Sequence, residues 1–328
     1  MKHEIILIRF TSPVHFGNAA EGGELGEILS YGRADTVFSA LCREAADIST
    51  ELLSYIVTGA QKGKLLFSDL FPWKKGTHCY ELYLPRPVMN LSPKEEMETL
   101  SYEEVRAQSA ERKKGKKRSF IRASDMGDYL QGKAITEQPD FWQEELRTQY
   151  NAREKLPYGI GVTHFMADAG LYLILSGEEE WIERLEPLIT LLGMTGIGGK
   201  RSSGFGKFCL EKEPLEISDE AVYGRDDAVL YTMLCANHAA RYMALSSFLP
   251  AGGEVEDVSK GTGKIIKRGG FSWSREMESA AKTGSVYMMA SGACFVKRLE
   301  GRIADVNNGA APHPIYKYGK GLFVGLPL

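Results

Sequence analysis

The sequence predicts an α+β fold, and three observations support this class. Short apolar runs and amphipathic helical segments alternate along the chain, a long polar segment interrupts them, and a glycine-rich stretch lies between a helical segment and a strand-like one. The chain has 328 residues, of which 43% are hydrophobic and 25% charged, as is typical of globular proteins. This length is sufficient for two domains.

The first elements read strand, loop, helix. Residues 4–10 (EIILIRF) form a short apolar run, which indicates a buried strand. In ADTVFSALCREAA the apolar residues recur at helical spacing, with Asp35 as the expected N-cap. KLLFSDLFPW and HCYELYLPRPV then predict two strands separated by a proline-marked turn.

A polar segment from about residue 92 to 150 has little strand signal and is interpreted as a mobile insertion. Seven lysines and arginines lie between Arg112 and Arg122 within it. Two interpretations stay open for this charge run: a solvated, disordered segment, or an RNA-facing segment that becomes ordered on binding.

The pattern resumes with a strand or hairpin that includes Phe165 and residues 171–175. EEEWIERLEPLITLLG places its apolar residues on one helical face, and Pro187 either kinks this helix or begins a second one. The glycine stretch and the strand FGKFCLEK follow. Apart from one extra strand, this is the ferredoxin-like β-α-β-β-α-β order, whose sheet has one face free for a ligand.

The second half begins with an acidic segment, EPLEISDEAVYGRDD, which is interpreted as a linker. A strand-like AVLYTML and a second loop of glycines and cations, KGTGKIIKRGG, follow it. We therefore expect a first domain over residues 1–212, with the insertion inside it, and a second, degenerate copy over residues 213–328.

The glycine stretch GIGGKRSSGFGKF lacks the spacing of a P-loop and of a dinucleotide-binding fingerprint. Its backbone N–H groups, hydroxyls and cations suit the phosphates of a chain such as RNA. The alternative is a tight turn with incidental charge. Because the net charge is −3, affinity for nucleic acid must come from local patches of this kind.

Other functional classes are disfavoured. The five cysteines are scattered, which argues against a zinc site and against a disulfide framework. No cofactor or metal is expected, because clustered carboxylates or histidines for metal-ion chemistry are missing. No signal peptide or membrane span is predicted, so we expect a cytoplasmic protein.

The order of these segments resembles a known family. The glycine loop is similar to that of the RAMP superfamily of CRISPR effector proteins. RFTSPVHFG, RADTVFSALCREA, FSDLFPW, YLPRP, GIGGKRSSGFGKF and HPIYKYGKGLFV resemble, in this order, the subunit that holds the crRNA 5′ tag in type III-A (Csm) complexes. The resemblance implies two ferredoxin-like domains, the second degenerate, and no catalysis by this subunit. It also implies contacts with the crRNA 5′ tag, the large polymerase-like subunit and the backbone RAMP subunit.

With this resemblance, the residues expected to contact RNA fall into four groups. They are the glycine loop, the segment after the first strand with the start of the first helix, the basic insertion with Arg153, and the second cation loop. In full they are Gly196, Gly198, Gly199, Lys200, Arg201, Ser202, Ser203, Gly204 and Gly206; His15, Phe16, Arg33, Thr36 and Ser39; Lys113, Lys114, Lys116, Lys117, Arg118 and Arg153; and Lys264, Lys267 and Arg268.

Alternatives are open for several of these residues. His15 and Phe16 are expected to stack on unpaired bases, or Phe16 packs in the core and His15 caps a loop. Asp35 is expected as the cap of a helix N-terminus that would suit a phosphate. His164 is interpreted as a satisfied core histidine. The alternative function is a RAMP-type endoribonuclease that processes crRNA precursor, with His15 and His164 as the candidate catalytic residues.

Overall fold

The computed structural model describes residues 1–18, 25–77, 79–90, 106, 109–110, 113–115, 117–151, 156–274, 276–309 and 311–328. Lys116 and Arg153 lie outside these described residues. Within the described part of the chain, no helix is long and apolar enough to cross a membrane.

The helices are α1 (Ala34–Ile48), α2 (Thr50–Gln61), α3 (Met126–Leu130), α4 (Glu179–Glu183), α5 (Glu186–Thr195), α6 (Arg225–Cys235) and α7 (Val255–Ser259), with 3-10 turns at Ala123–Asp125, Arg201–Ser203 and Gly252–Glu254. The strands of the first half are β1 (Lys2–Phe10), β2 (Phe16–Gly17), β3 (Ile28–Leu29), β4 (Leu65–Phe67), β5 (Phe71–Lys75), β6 (Tyr80–Pro85), β7 (Phe120–Arg122), β8 (Trp142–Asn151), β9 (Leu156–Phe165), β10 (Ala169–Gly177) and β11 (Phe208–Leu210). Those of the second half are β12 (Leu215–Glu216), β13 (Tyr242–Ala244), β14 (Ile265–Arg268), β15 (Phe271–Ser272), β16 (Ala281–Lys282), β17 (Val286–Met289), β18 (Cys294–Phe295), β19 (Ala304–Asp305), β20 (Tyr316–Lys317) and β21 (Phe323–Gly325).

The main sheet is antiparallel and confirms the mixed α and β class. Its strand order is β11-β1-β10-β5-β6-β7, with β12 paired to β1 and β4 paired to β10. The first and third strands of this order, β11 and β10, flank β1, whose side chains are buried over most of its length. A smaller sheet, β18-β13-β21, belongs to the second half.

Both faces of the main sheet are covered. Along β1, Ile6 and Ile8 point into a core formed with α1, α2 and α5. Ile5 and Leu7 point to the opposite face, where they join a core that includes α6 and the C-terminal strand β21. The expectation of a sheet face left free for a ligand is therefore wrong, because the second half of the chain packs on it.

Several predicted elements change type or extent. Residues 142–151, placed in the insertion, form β8, which pairs with β9 over its whole length. Part of the expected linker forms β12, and AVLYTML belongs to helix α6 rather than to a strand. Helix α2 was not predicted, although Ser49 caps it by accepting a hydrogen bond from the Leu52 N–H at 3.1 Å. Pro187 lies in the first turn of α5, so the prediction that it begins a second helix is confirmed.

Asp35 does not cap helix α1. The cap position is Arg33, and the Ala34 N–H donates instead to the carboxylate of Asp69 at 2.8 Å. Asp35 lies in the first turn with its carboxylate paired to Arg268. The N-terminus of α1 is thus satisfied by carboxylates from within the protein and does not present a free phosphate site.

Candidate nucleic-acid interface

The glycine loop, residues 196–206, connects α5 to β11. Four of its glycines, Gly196, Gly198, Gly204 and Gly206, have positive φ between 76° and 88°. Three of them also leave no room for a side chain: a Cβ at Gly196, Gly198 or Gly206 would lie 2.6 Å or less from a backbone oxygen. The loop is therefore a folded turn whose glycines are required by its own close packing.

The loop rests on the segment that follows β1. The N–H of Gly199 donates to the carbonyl of His15 at 2.8 Å, and the N–H of Gly206 donates to the carbonyl of Pro13 at 2.8 Å. His15 is 5% exposed, and its Nδ1 lies 2.8 Å from the carbonyl oxygen of Gly161. Phe16 is 4% exposed and packs in the core. Both rings are buried in this conformation, and the backbone carbonyl of His15 holds the loop.

Polar groups face outward at the tip of the loop. Ser202 and Ser203 are exposed, and Lys200 and Arg201 are half-buried. Lys200 is in the left-handed region with φ 58°, and the 3-10 turn at Arg201–Ser203 follows it. Among the residues that the structure describes, the N–H groups of Lys200, Arg201 and Ser202 have no hydrogen-bond partner. Successive N–H groups in such a turn can together bind an anion.

The two cations are held in different ways. Lys200 lies with its Nζ 4.7 Å from the centre of the Tyr158 ring and donates to the Tyr158 hydroxyl at 3.2 Å. The guanidinium of Arg201 is 3.5 Å from the carboxylate of Glu44, which also accepts a hydrogen bond from Thr195 at 2.9 Å. The pairing with Glu44 lowers the net charge of the loop but leaves Lys200 without a carboxylate beside it among the described residues.

The hairpin formed by β8 and β9 lies beside the loop and carries His164 together with polar residues that the sequence did not identify. Tyr158 and Gln149 lie opposite each other on one face, and the Tyr158 hydroxyl donates to Gln149 at 2.7 Å. Further along the same face, His164 Nε2 lies 2.9 Å from Glu145 and 3.2 Å from Arg147. Ile160, Val162 and Phe205 pack together and join the hairpin to the loop.

His164 is therefore not a buried core histidine. Its side chain is 35% exposed and faces Glu145 and Arg147. The sequence signal that could have indicated the hairpin is the weak alternation in WQEELRTQYN. This alternation predicts a strand only when its partner β9 is known.

The remaining predicted contacts are dispersed. Arg33 is 7% exposed and donates to Ser247 at 2.9 Å, and Arg268 is 7% exposed and pairs with Asp35 at 3.0 Å. Thr36 accepts a hydrogen bond from Arg268, whereas Ser39 is exposed on α1. Arg33 and Arg268 were expected to contact RNA, but the structure buries both side chains and pairs them with carboxylates of the protein.

The insertion and the second cation loop remain at the surface. Lys113, Lys114 and Lys117 are exposed, and Arg118 donates to the carbonyls of Ile135 and Thr136. Lys264 is exposed and Lys267 half-buried.

In the part of the chain that the structure describes, no group of three or more histidine, cysteine, aspartate or glutamate side chains is placed to hold a metal ion. The five cysteines are unpaired, and burial raises the pKa of Cys42 and of Cys294 to about 12.

Comparison with known proteins gives matches along the whole chain. A family model described as the CRISPR Csm4 C-terminal domain matches residues 237–326. The CRISPR system Cms protein Csm4 of Streptococcus thermophilus is 29% identical, and the alignment covers 99% of each chain. The protein of the same name from Mycobacterium tuberculosis is also 29% identical, over 90% of this chain and 89% of the relative.

Two solved structures share the fold. A Csm3–Csm4 subcomplex of the type III-A CRISPR-Cas interference complex contains a chain that matches with a TM-score of 0.64 and 14% identity, covering 99% of both chains. A Csm1–Csm4 cassette in complex with pppApA contains a chain that matches with a TM-score of 0.60 and 19% identity, covering 100% of this chain and 99% of that one.

Proposed function

We propose that the chain is a member of the Csm4 family and a non-catalytic subunit of a type III-A CRISPR effector complex that anchors the crRNA 5′ tag, supported by the family-model match to residues 237–326 and by the 29% identity to a Csm4 protein over 99% of the chain. In this complex it bridges the large polymerase-like subunit, Csm1, to the backbone subunit, Csm3. The main supporting observation is the tip of the glycine loop, where Ser202 and Ser203 are exposed, Lys200 and Arg201 are half-buried, and the N–H groups of residues 200–202 have no partner among the described residues. These groups suit RNA phosphates.

We further propose that residues 1–212 and 213–328 are two ferredoxin-like domains, the second degenerate, and that the protein acts in the cytoplasm. The order of β11, β1, β10 and β4 in the main sheet supports the assignment of the first domain. The glycine loop then lies between its second helix and its last strand.

The proposed RNA surface consists of the loop tip and the polar side chains of the β8–β9 hairpin. Lys200, Arg201, Ser202 and Ser203 contact phosphates, whereas the glycines set the backbone that presents them. Tyr158 and Arg147 line the same surface. Ser39, Lys264, Lys267 and the basic insertion stay predicted contacts, whereas the buried Arg33, Arg268, His15 and Phe16 act as supports.

The test replaces the two loop cations. Lys200→Ala with Arg201→Ala removes two phosphate contacts, so the slope of log affinity against log salt should flatten by about 1.4 for single-stranded RNA. Arg43→Ala with Lys62→Ala is the matched control, because it removes an exposed arginine on α1 and an exposed lysine directly after α2. Fluorescence anisotropy with a labelled crRNA gives both slopes. Equal slopes for the loop variant and the wild type would show that the loop is a structural turn that does not contact RNA phosphates.

Two further measurements address partners and catalysis. The protein should co-elute with the large subunit in size-exclusion chromatography without RNA; separate elution at micromolar concentration would contradict the bridging role. Incubation with repeat RNA, with and without magnesium or manganese, should give no specific cleavage. Cleavage lost in His164→Ala or His15→Ala would instead support the crRNA-processing enzyme.

A further inference from the structure

The second half carries an exposed ribbon outside the surface described above. The ribbon consists of β14 and β15 paired with β17 and β16, with the Thr283 N–H donating to the Gly270 carbonyl at 2.9 Å between the two pairs. It therefore continues as one antiparallel two-stranded element from Ile265 to Ser272 and back from Ala281 to Met289.

Large apolar side chains project from this ribbon into solvent. Phe271 is 73% exposed, Ile265 65%, Tyr287 63% and Trp273 53%. Two aromatic rings and an isoleucine at this exposure on one short element, with Trp273 directly after β15, form an unusual exposed apolar surface. The ribbon is therefore a candidate binding surface for a ligand or a partner.

A lysine lies directly across the ladder from two of these rings. Lys267 is opposite Tyr287, and Lys282 is opposite Phe271. Side chains opposite each other in an antiparallel pair project from the same face with Cβ atoms about 5 Å apart. Each ring thus lies across from a lysine, of which Lys282 is exposed and Lys267 half-buried, and Lys264 adds a second exposed cation next to Ile265.

We propose that the ribbon binds single-stranded RNA, with bases stacked on Phe271 and Tyr287 and phosphates contacted by Lys282 and Lys267. Alternation of aromatic faces and cations is the chemistry by which proteins hold unpaired strands without reading their sequence. The cores of protein–protein interfaces are instead depleted in lysine, so a lysine across from each ring favours RNA over a protein partner. The proposal rests on the proposed function, because it assigns the same class of ligand, RNA, to a second surface of the protein.

The base of the ribbon is fixed against helix α1, which also supports the glycine loop. Arg268 at the end of β14 donates two hydrogen bonds to Asp35, each of 3.0 Å. Arg201 of the glycine loop approaches Glu44, which is nine residues further along the same helix. At a rise of 1.5 Å per residue, the two attachment points are about 14 Å apart along α1. The ribbon and the glycine loop are therefore both anchored to the same helix.

The experiment measures the affinity of the full-length protein for a 5′-fluorescein-labelled U12 RNA by fluorescence anisotropy. Phe271→Leu with Tyr287→Leu keeps apolar bulk but removes the rings, and affinity should fall about 25-fold or more, as expected when two bases lose their stacking partners. Phe271→Trp with Tyr287→Trp is the matched control and should retain the affinity. Lys267→Gln with Lys282→Gln should flatten the salt slope by about 1.4.

Folding does not confound these variants, because the replaced rings are mostly exposed, and thermal unfolding should stay unchanged. Wild-type affinity in the leucine variant, together with weakened binding in Lys200→Ala with Arg201→Ala, would overturn the ribbon proposal and leave the proposed function intact. If Phe271→Leu with Tyr287→Leu keeps wild-type RNA affinity but no longer co-elutes with the large or the backbone subunit, the ribbon is a protein-docking surface. That result would also overturn the ribbon proposal. Unchanged affinity in every variant would overturn both proposals.

Discussion

Lys200 occupies a backbone conformation that a glycine would adopt more easily. It is the non-glycine residue with positive φ in the described part of the chain, at 58°. A side chain in this region costs about 1–2 kcal/mol. The stacking of its ammonium on Tyr158 offsets part of this strain. Backbone strain of this kind is concentrated at functional sites, which agrees with a role for the charge itself.

Gly204 and Gly206 show two different reasons for a glycine in the loop, which are a positive φ and a lack of space for a side chain. Both have positive φ, of 84° and 76°, but a Cβ at Gly206 would lie 1.9 Å from the Ile197 carbonyl oxygen, whereas nothing lies within 4 Å at Gly204. Gly204→Ala should therefore lower the free energy of unfolding by about 1 kcal/mol, through strain alone. Gly206→Ala should cost about 2 kcal/mol more, because the backbone must shift. Urea unfolding measures both, and equal costs would contradict the packing argument.

His3 should make the stability depend on pH. Burial, with smaller contributions from the N-terminal ammonium and Arg298, lowers the pKa of His3 from 6.5 to about 4. The unfolded state therefore takes up a proton first as the pH falls, so the contribution of neutral His3 is complete above pH 6.5 and declines between 6.5 and 4. Between pH 7 and pH 5 the free energy of unfolding should fall by about 2 kcal/mol from this group.

His3→Gln is the control for this titration. An amide can still hydrogen-bond to Ser176, which lies 2.7 Å from His3 Nδ1, but it does not titrate. Urea unfolding at pH 7 and pH 5 should show a smaller loss in His3→Gln than in the wild type. The same loss in both proteins would assign the pH dependence to other groups.

At the scale of elements, helix α1 is joined to the second half by buried ion pairs. Burial opposes the charge of Asp35, but the nearby charges of Arg268 and Lys317 outweigh it and hold the pKa of this carboxyl below its ordinary value. Asp69, which is fully buried, accepts hydrogen bonds from the N–H groups of Ala34 and Ser247, each at 2.8 Å. These contacts fix the ribbon and the C-terminal strands relative to the first helix.

Breaking the Asp35–Arg268 pair should be strongly destabilising. Asp35→Asn leaves a buried guanidinium that cannot lose its proton, so the free energy of unfolding should fall by about 3–5 kcal/mol. Glu256→Gln is the matched control, because it breaks an ion pair with Lys260 whose side chains are 81% and 59% exposed. That change should cost less than about 1 kcal/mol. Similar losses in the two variants by urea unfolding would show that burial of the first pair has no special weight.

The sequence predicted elements well where periodicity was strong and poorly where long-range contacts decide. The apolar run of β1 and the helical spacing of α1 were recognisable without a structure. Helix α6 was predicted as a strand because AVLYTML has strand-like composition. The helix is held in place by contacts far along the chain: Asp226 in its first turn accepts hydrogen bonds from the N–H groups of Leu82 and Ser124, residues more than 100 positions away.

The candidate site shows the same division. The glycine loop was identified because its composition is itself the signal, whereas Arg147 and Tyr158 come from a hairpin placed in the insertion. The burial of Arg33 and Arg268 follows from carboxylates that are distant in sequence, so no local pattern could reveal it.

At the scale of the whole molecule, the proposed boundary after residue 212 separates two sets of strands and helices, but both sets contribute side chains to one apolar core. Trp73, which is fully buried on the second face of the main sheet, belongs to the same apolar cluster as Met233 and Val324. Removal of residues 213–328 would expose this face to water. Because exposed apolar surface of that extent favours association, we expect a fragment of residues 1–212 to be incompletely folded.

The fragment should bind the dye ANS, elute as an aggregate and unfold without a cooperative transition, and addition of residues 213–328 should reverse these properties. In the full chain, Met233→Asp should have a similar effect, because it places a charge at a position that is 3% exposed. Met194→Asp is the matched control, since Met194 is 69% exposed and the same charge remains in water. A monomeric fragment with cooperative unfolding and no ANS binding would show instead that the first domain folds alone. The second half would then be docked on a finished sheet rather than completing it.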